Sequence, residues 1–267
     1  VNSQNNKFNF DFETTDDRIL GGKLSILQPR NGPRAAIDAI FLASAVPGRL
    51  DQYSLVLDAG AGSGVVSLAL ACRLKGISCI GIDLEPQLVE LAKFNSERNG
   101  LSDRVRFLVG DVRQSSLMGR NTALTREGFD HVVANPPYYI DGSARKSSHK
   151  FKDRAHFQGT DELDAWVRFL TSALRAKGTL TMIHVPEILT QLLNCLDGRF
   201  GSLSVFPLFP KKGRKASRIL VQGVKASRAP LTLMPGLVLH ESNGEYTVRA
   251  QEILRDGQAL SLNSVVR

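Results

Sequence analysis

The chain has 267 residues and is 42% hydrophobic, enough for one large α/β domain or two small ones with a proper core, which argues against disorder as the default state. Lys and Arg total 34 against 26 Asp and Glu, a formal charge of +8 that favours a polyanionic partner without demanding one. Cys72, Cys79 and Cys195 have neither C-x-x-C spacing nor an even count, so neither a zinc knuckle nor a disulfide framework is indicated and the compartment is expected to be reducing.

The opening stretch, 1–15, is Asn-rich and polar, and reads as a frayed tail rather than a signal peptide. No later apolar run approaches the ~18 residues that span a bilayer, so a cytoplasmic protein is expected. Residues 16–50 read as a front segment: a hairpin from Arg18 to Leu27 around Gly21-Gly22, then a helix from Ala35 to Val46 ended by Pro47-Gly48. From 51 to 225 the pattern becomes strand, helix, strand. Short apolar runs at Leu55 to Leu57, Cys79 to Ile82, Val105 to Val109 and Phe129 to Ala134 carry helical patterns at Val65 to Lys75 and Pro86 to Asn99 between the first three. A helix from Leu163 to Ala176, a strand Thr179 to His184, a helix Glu187 to Leu196 and strands near Leu203 to Phe206 and Arg218 to Val224 follow. This alternation predicts a mostly parallel sheet of about seven strands, covered by helices on both faces, with an antiparallel last pair and ligands at the carboxyl ends of the strands. Trp166 falls on an apolar helical face and is expected in the core. In the extension, 226–267, Asn243-Gly244 between two apolar runs predicts a small hairpin and then a short helix.

Two basic stretches interrupt this rhythm. Tyr139 to Gly159 holds Arg145, Lys146, Lys150, Lys152 and Arg154 with almost no periodicity, which reads as a long functional loop. Its His149 and His156 flank Asp153 without ligand spacing, so no metal is expected. Lys211, Lys212, Arg214 and Lys215 form a second cluster, at the tip of a hairpin between two strands.

The chemistry starts at Asp58-Ala59-Gly60-Ala61-Gly62-Ser63-Gly64, which follows the first strand of the alternating region and opens its first helix. Glycines let a loop turn sharply and approach a ligand. A dinucleotide fingerprint would need Gly at position 65, where Val65 stands. Asp58 would also repel a pyrophosphate, yet suits the cationic amino-acid end of S-adenosylmethionine. Asp83, closing the next strand, is placed to accept from both ribose hydroxyls, and Asp111, closing the third, from the exocyclic amine of the cofactor's adenine. Leu84 and Val112 follow these acids as candidate cofactor contacts.

Asn135-Pro136-Pro137-Tyr138 leaves the fourth strand. Two oxygen acceptors, the Asn135 side chain and the Pro136 carbonyl, would grip both hydrogens of a substrate NH2 and aim its lone pair at the methyl group, while Asn135 also borders the cofactor. The prolines keep that carbonyl aimed. Tyr138, with Tyr139 as a partner, offers an aromatic face to an extruded base.

On these residues the chain resembles class I amino methyltransferases acting on adenine or glutamine. The segment Gln28-Pro29-Arg30-Asn31-Gly32-Pro33-Arg34-Ala35-Ala36-Ile37-Asp38, continuing to Ala43, together with Ser217-Arg218-Ile219-Leu220-Val221-Gln222 and the tail through Leu260, resembles the bacterial tRNA1(Val) (adenine-N6)-methyltransferase family. Pro33 departs from that family's leading motif. The resemblance implies a Rossmann-like class I methyltransferase fold, S-adenosylmethionine as cofactor, and an adenosine of tRNA as substrate. It further implies that Arg34 and Asp38 lie near the methionine end of the cofactor and close the front of the site. The basic residues Arg145, Lys146, Lys150, Lys211, Lys212, Arg214 and Lys215 are then candidates for RNA contact. A protein glutamine methyltransferase uses the same tetrapeptide, because a glutamine amide presents a similar NH2. Such enzymes carry a helical domain ahead of the cofactor loop, where this sequence reads as a hairpin and one helix. A non-catalytic RNA-binding protein on the same fold is the third reading, and the intact Asn135 speaks against it.

Overall fold

A computed structural model describes residues 10–31, 37–47, 54–114, 117, 123–137 and 160–262. Strands β1 (Thr14–Ile19) and β2 (Leu24–Pro29) form the antiparallel front hairpin, joined by a tight turn at Leu20–Gly22. β1 thus begins inside the stretch expected to be a frayed tail, and Phe10 stacks on Phe12 at 5.7 Å and meets Phe94 edge-on at 6.2 Å. Helix α1 (Ile37–Ala45) follows.

The core alternates as the apolar runs predict: β3 (Ser54–Ala59), α2 (Val65–Arg73), β4 (Ile77–Asp83), α3 (Pro86–Arg98), β5 (Val105–Val109), β6 (Phe129–Ala134), α4 (Thr160–Ala173), β7 (Leu174–His184), α5 (Leu189–Leu196), β8 (Phe200–Lys211) and β9 (Arg218–Lys225). Their order across the sheet is β8-β9-β7-β6-β3-β4-β5, with β10 (Thr232–Leu233) and β11 (Leu237–His240) both added beside β8. Among the described residues this sheet therefore has nine strands where about seven are predicted, because the extension contributes two short ones. β9 runs antiparallel to both β7 and β8, so β8 points the same way as β7. The carboxyl ends of β3 to β8 consequently share one edge of the sheet.

Side chains alternate between two apolar layers. Val56, Val133, Ile183 and Leu220 join the layer that holds α1, α2 and the extension, whereas Leu57, Val132, Met182 and Val221 join that of α4 and α5. Both faces are covered, which is why these strands read as continuous apolar runs. Helix α4 faces the sheet with Leu163, Trp166, Val167 and Leu170 at helical spacing.

The front segment is built into the core. From Asp38 to Ala45, α1 is buried, and the Ala45 carbonyl accepts from Gln222 Nε2 of β9 at 2.9 Å. The hairpin is sewn to α3 by two asparagines. Asn95 accepts from Leu27 N–H (2.8 Å) and donates to the carbonyls of Leu27 and Ser63, and Asn99 exchanges the same pair of bonds with Ser25.

The extension turns back at Asn243-Gly244 as predicted, with Glu241 N–H donating to Glu245 O, Thr247 N–H to Leu239 O and one antiparallel bridge, Tyr246 to His240. What was not predicted is that its first run, β11, also pairs in parallel with β8. Thr247 then caps α6 (Val248–Gln251): its hydroxyl accepts from Ala250 N–H and donates to the Val238 carbonyl. Pairing with a long existing strand end stabilises more backbone than an isolated two-stranded ribbon. Past α6 the chain packs on the front segment, with Leu260 N–H donating to Ser44 O and Lys23 Nζ to Asp256 O. Among the described residues no helix is long and apolar enough to cross a membrane.

Candidate active site

Two loops leave the shared edge side by side. β3 and β6 are neighbours with Ala59 level with Ala134, so Gly60 and Asn135 emerge at the same height. Chain order alone separates them by a helix, two strands and another helix; the parallel register removes that distance.

The glycine loop is held from beneath. Gly60 and Ala61 both donate to the Ile82 carbonyl, at 2.8 and 2.9 Å. Gly64 is the N-cap of α2 and has no side chain to cap it. Asp58 takes that place from the preceding strand, its Oδ2 accepting from the Ser67 N–H (3.1 Å) and hydroxyl (2.7 Å). Burial raises its pKa to about 6, with the Ser67 hydrogen bonds opposing and the Asp83 charge adding to the rise. At 1% exposure Asp58 acts as a brace inside the loop, a task its spacing did not reveal.

Two glycines then define the two sides of the loop. Both adopt positive φ, +75° at Gly60 and +55° at Gly62, where L side chains are strained. A Cβ on Gly60 would sit 2.8 Å from the Trp166 ring, whereas one on Gly62 meets nothing within 4 Å. Trp166, 8% exposed, is core as predicted and also backs the loop. Gly62 therefore faces open space, the side on which a cofactor has room to approach.

Asp83, beside that space, accepts from Gly62 N–H at 2.8 Å through Oδ2 and from Glu85 N–H at 3.0 Å through Oδ1. Burial raises its pKa against the opposing pull of those backbone donors. The carboxylate is thereby fixed in direction, and each oxygen keeps acceptor capacity for a hydroxyl. Leu84 next to it is 38% exposed, an apolar surface at a strand end where a ring can rest. Asp111, past β5, is bound by its neighbour: Arg113 Nε and Nη2 each reach it at 2.9 Å, and Arg113 also pairs with Glu162 at 3.4 Å. Burial alone would raise its pKa, but the hydrogen bonds and charge of Arg113 outweigh it and hold the carboxyl below its ordinary range. Val112 is 6% exposed and packs in the core. The backbone room at Gly62, the oriented acceptor at Asp83 and the apolar face of Leu84 fit a nucleoside cofactor such as S-adenosylmethionine.

On the acceptor side, Asn135 is half-buried, Pro136 buried and Pro137 half-buried. Asp38 on α1 makes an ion pair with Arg218 of β9, Oδ2 to Nε at 2.7 Å, and Arg218 Nη1 donates to the Ser217 carbonyl. Arg218, which the sequence reading quoted only as part of a family-like segment, thus has a partner here, and His184, given no role in the sequence, ends the neighbouring β7 with its Nδ1 accepting from the Val185 N–H. A strand-terminal His next to a Val-Pro step was the available signal. The basic tip between β8 and β9 is exposed from Lys211 to Lys215 and rises from the same edge, since β8 runs parallel to β7. Arg34, Tyr138, Tyr139, Arg145, Lys146 and Lys150 lie outside the described residues, as do His149 and His156. His131 is a core histidine: its ring lies between the hydroxyls of Thr179 and Thr181, and burial pushes its pKa down to about 3, with the Arg73 charge adding.

Comparison with known proteins agrees with this geometry. The model of a methyltransferase domain family matches residues 50–195. The chain is 28% identical over 209 residues to a tRNA1(Val) (adenine(37)-N6)-methyltransferase of Porphyromonas gingivalis, covering 75% of this chain and 77% of that protein. It is 26% identical over 160 residues to a release factor glutamine methyltransferase of Dictyoglomus turgidum, covering 58% of this chain and 55% of that protein. The crystal structure of a predicted O-methyltransferase, Atu636 of Agrobacterium tumefaciens, superposes with a TM-score of 0.67 at 26% identity, over 85% of this chain and all of that one. With the family model covering more than half of the sequence, the chain belongs to the methyltransferase domain family and is a Rossmann-like class I methyltransferase that depends on S-adenosylmethionine.

Proposed function

We propose that this chain methylates the N6 amine of adenine in RNA, with tRNA as the substrate class. The observation that carries the reading is the level exit of the Asn135 turn and the glycine loop from neighbouring strands, because transfer to an amine needs an acceptor clamp opposite the methyl donor. S-adenosylmethionine, when bound, supplies a methyl group on a positively charged sulfur.

The amine of adenine is a weak nucleophile, its lone pair being delocalised into the ring. Accepting both of its N–H bonds, through the Asn135 side-chain oxygen and the Pro136 carbonyl, favours a pyramidal nitrogen with its lone pair directed outward. A strong base is unnecessary, since the nitrogen becomes acidic once it carries the methyl group. The rings of Pro136 and Pro137 lock φ and remove N–H groups that would compete for the same oxygens. Tyr138 and Tyr139 supply stacking surface, and Arg34 helps Asp38 close the front.

RNA is favoured over a protein amide by charge. The tip at Lys211, Lys212, Arg214 and Lys215 joins β8 to β9, two to three strand spacings or about 10–14 Å from β6 across the sheet, a span suited to phosphates flanking an extruded base. Arg145, Lys146 and Lys150 add to that charge. The relative from Porphyromonas gingivalis carries a tRNA adenine name, and a tRNA substrate implies a cytoplasmic enzyme. The test is incubation with labelled cofactor and two acceptors in parallel: total tRNA from cells lacking the protein, and a peptide release factor. N6-methyladenosine in the RNA digest supports the reading. Label in the release factor instead would transfer the assignment to a glutamine amide, and label in neither would sink both.

A further inference from the structure

The extension places two aromatic rings beside the basic tip. β11 runs parallel to β8 with His240 level with Lys211, and the antiparallel bridge brings Tyr246 back against His240. The rings stack, with centroids 4.4 Å apart and planes 26° from parallel. A carbonyl can only accept, so His240 Nδ1 is the donor to the Gly244 oxygen at 3.0 Å. That bond fixes the direction of the imidazole plane. Tyr246 packs in turn against the layer of α1, α2 and the extension. One face of the half-buried His240 ring therefore rests on Tyr246, and the other is turned away from it. Lys211 Nζ donates to Ser242 O at 3.2 Å, which holds a cation beside the pair.

The register relates this pair to the candidate active site. His184, at the end of β7, is level with Ile219, and Ile219 is level with Pro207 of β8. Lys211 follows Pro207 by four residues, so the tip and His240 stand roughly 13 Å past that strand end, at about 3.3 Å per residue. Across the sheet β11 is four strand steps from β6, roughly 19 Å. The rings thus project from the edge that carries the Asn135 turn. Exposed Lys211, Lys212, Arg214 and Lys215 outnumber the exposed acids of the turn, Glu241 and Glu245, and Glu245 is engaged by Asn243 Nδ2 at 3.3 Å. Cations that meet phosphates next to an aromatic face that takes a base are the two parts of a single-strand binding surface. A ring pair that served only its own hairpin would need neither those cations nor a place at the rim of the site.

We propose that the outer face of His240, backed by Tyr246, is a stacking platform for an unpaired base of the RNA substrate, a few nucleotides from the adenosine that is methylated. The proposal rests on the reading of RNA as substrate, and the test keeps the two apart. The whole chain is titrated by fluorescence anisotropy, over a range of salt concentrations, with an oligoadenylate about 12 nucleotides long and with a phosphodiester strand of that length lacking bases. His240→Leu keeps an apolar contact on Tyr246 and removes the flat face. It is expected to weaken oligoadenylate binding about 5- to 20-fold at every salt concentration, with the salt slope unchanged, and to leave the base-free strand within about twofold. His240→Phe keeps the face without the Gly244 bond and should bind oligoadenylate within about threefold of wild type. Lys212→Ala gives the contrast, lowering the salt slope by about 0.7 for both strands. Unchanged oligoadenylate affinity in His240→Leu, or an equal loss for the base-free strand, overturns the platform while RNA binding stands. A loss in His240→Phe as large as in His240→Leu also overturns it, by assigning the effect to the hairpin. A second readout needs no variant: in proton NMR of the wild type the His240 ring signals should move upfield with oligoadenylate and stay in place with the base-free strand. Signals unmoved by oligoadenylate overturn the platform. A wild type that binds neither strand nor total tRNA would remove the RNA reading, and the platform with it.

Discussion

The glycine loop and the turn at Asn135 leave adjacent strands at the same level, yet they differ in the backbone donors they possess. The glycine loop is fixed by partners close in sequence: Ser67 is nine residues from Asp58, and Gly62 is 21 from Asp83. Most of those bonds use backbone N–H groups, which glycine leaves accessible. The tetrapeptide turn has no N–H at its two prolines, so it cannot be fixed by its own backbone donors there. On the same edge of the sheet an Asp38–Arg218 pair 180 residues apart ties α1 to β9, a contact that depends on the whole sheet being in register.

The largest effect should separate the two loops by function. Asn135→Ala is expected to lower kcat by about 10³ with cofactor affinity within about threefold, while Asp83→Ala weakens cofactor binding and leaves kcat at saturation nearly unchanged. Calorimetric binding and single-turnover rates read the two quantities. Equal losses of both in either variant would show that the loops work as one unit.

Next comes the inner side of the glycine loop. Gly60→Ala adds positive-φ strain to a clash with Trp166 and should cost about 3 kcal/mol in urea unfolding, against about 1 kcal/mol for Gly62→Ala, which carries the strain alone. Gly62→Ala should instead show the greater loss of cofactor affinity per unit of stability lost. Similar unfolding costs would mean that Gly62 does not face open space.

A smaller, pH-dependent effect tests the brace. The Asp58 pKa is raised in the folded state to about 6 from 3.8, so its favourable contribution is complete below pH 3.8 and is lost as pH rises through 6. Between pH 4 and pH 7 the wild type should lose about 2–3 kcal/mol of stability relative to Asp58→Asn, which does not titrate and keeps an oxygen for Ser67. A pH-independent difference would mean that the carboxyl is solvated. The smallest effect concerns the basic tip. Replacing Lys212 and Arg214 by Ala should weaken tRNA binding a few-fold and reduce the salt slope by about 1.5; an unchanged slope would remove the tip from the interface.

Much of this was legible in the residues. β5 and β6 fall on the predicted bounds, and α2, α3, β3 and β4 lie within a few residues of them, since apolar periodicity and strand-end glycines are local signals. The extension was partly readable: the turn at Asn243-Gly244 and the helix after it are local signals, whereas the capture of Leu237–His240 by β8 as an added parallel strand is not.

By itself the sequence determined the strand-helix alternation and placed the glycine-rich loop and the Asn135-Pro136-Pro137-Tyr138 tetrapeptide at strand ends, all of which is written in neighbours a few residues apart. Only the tertiary structure decided that Asp58 braces a helix and that α1 is tied to β9 through Asp38 and Arg218. Those contacts join segments whose separation along the chain carries no signal, and the ends of β3 and β6 come level only through the register of a parallel sheet.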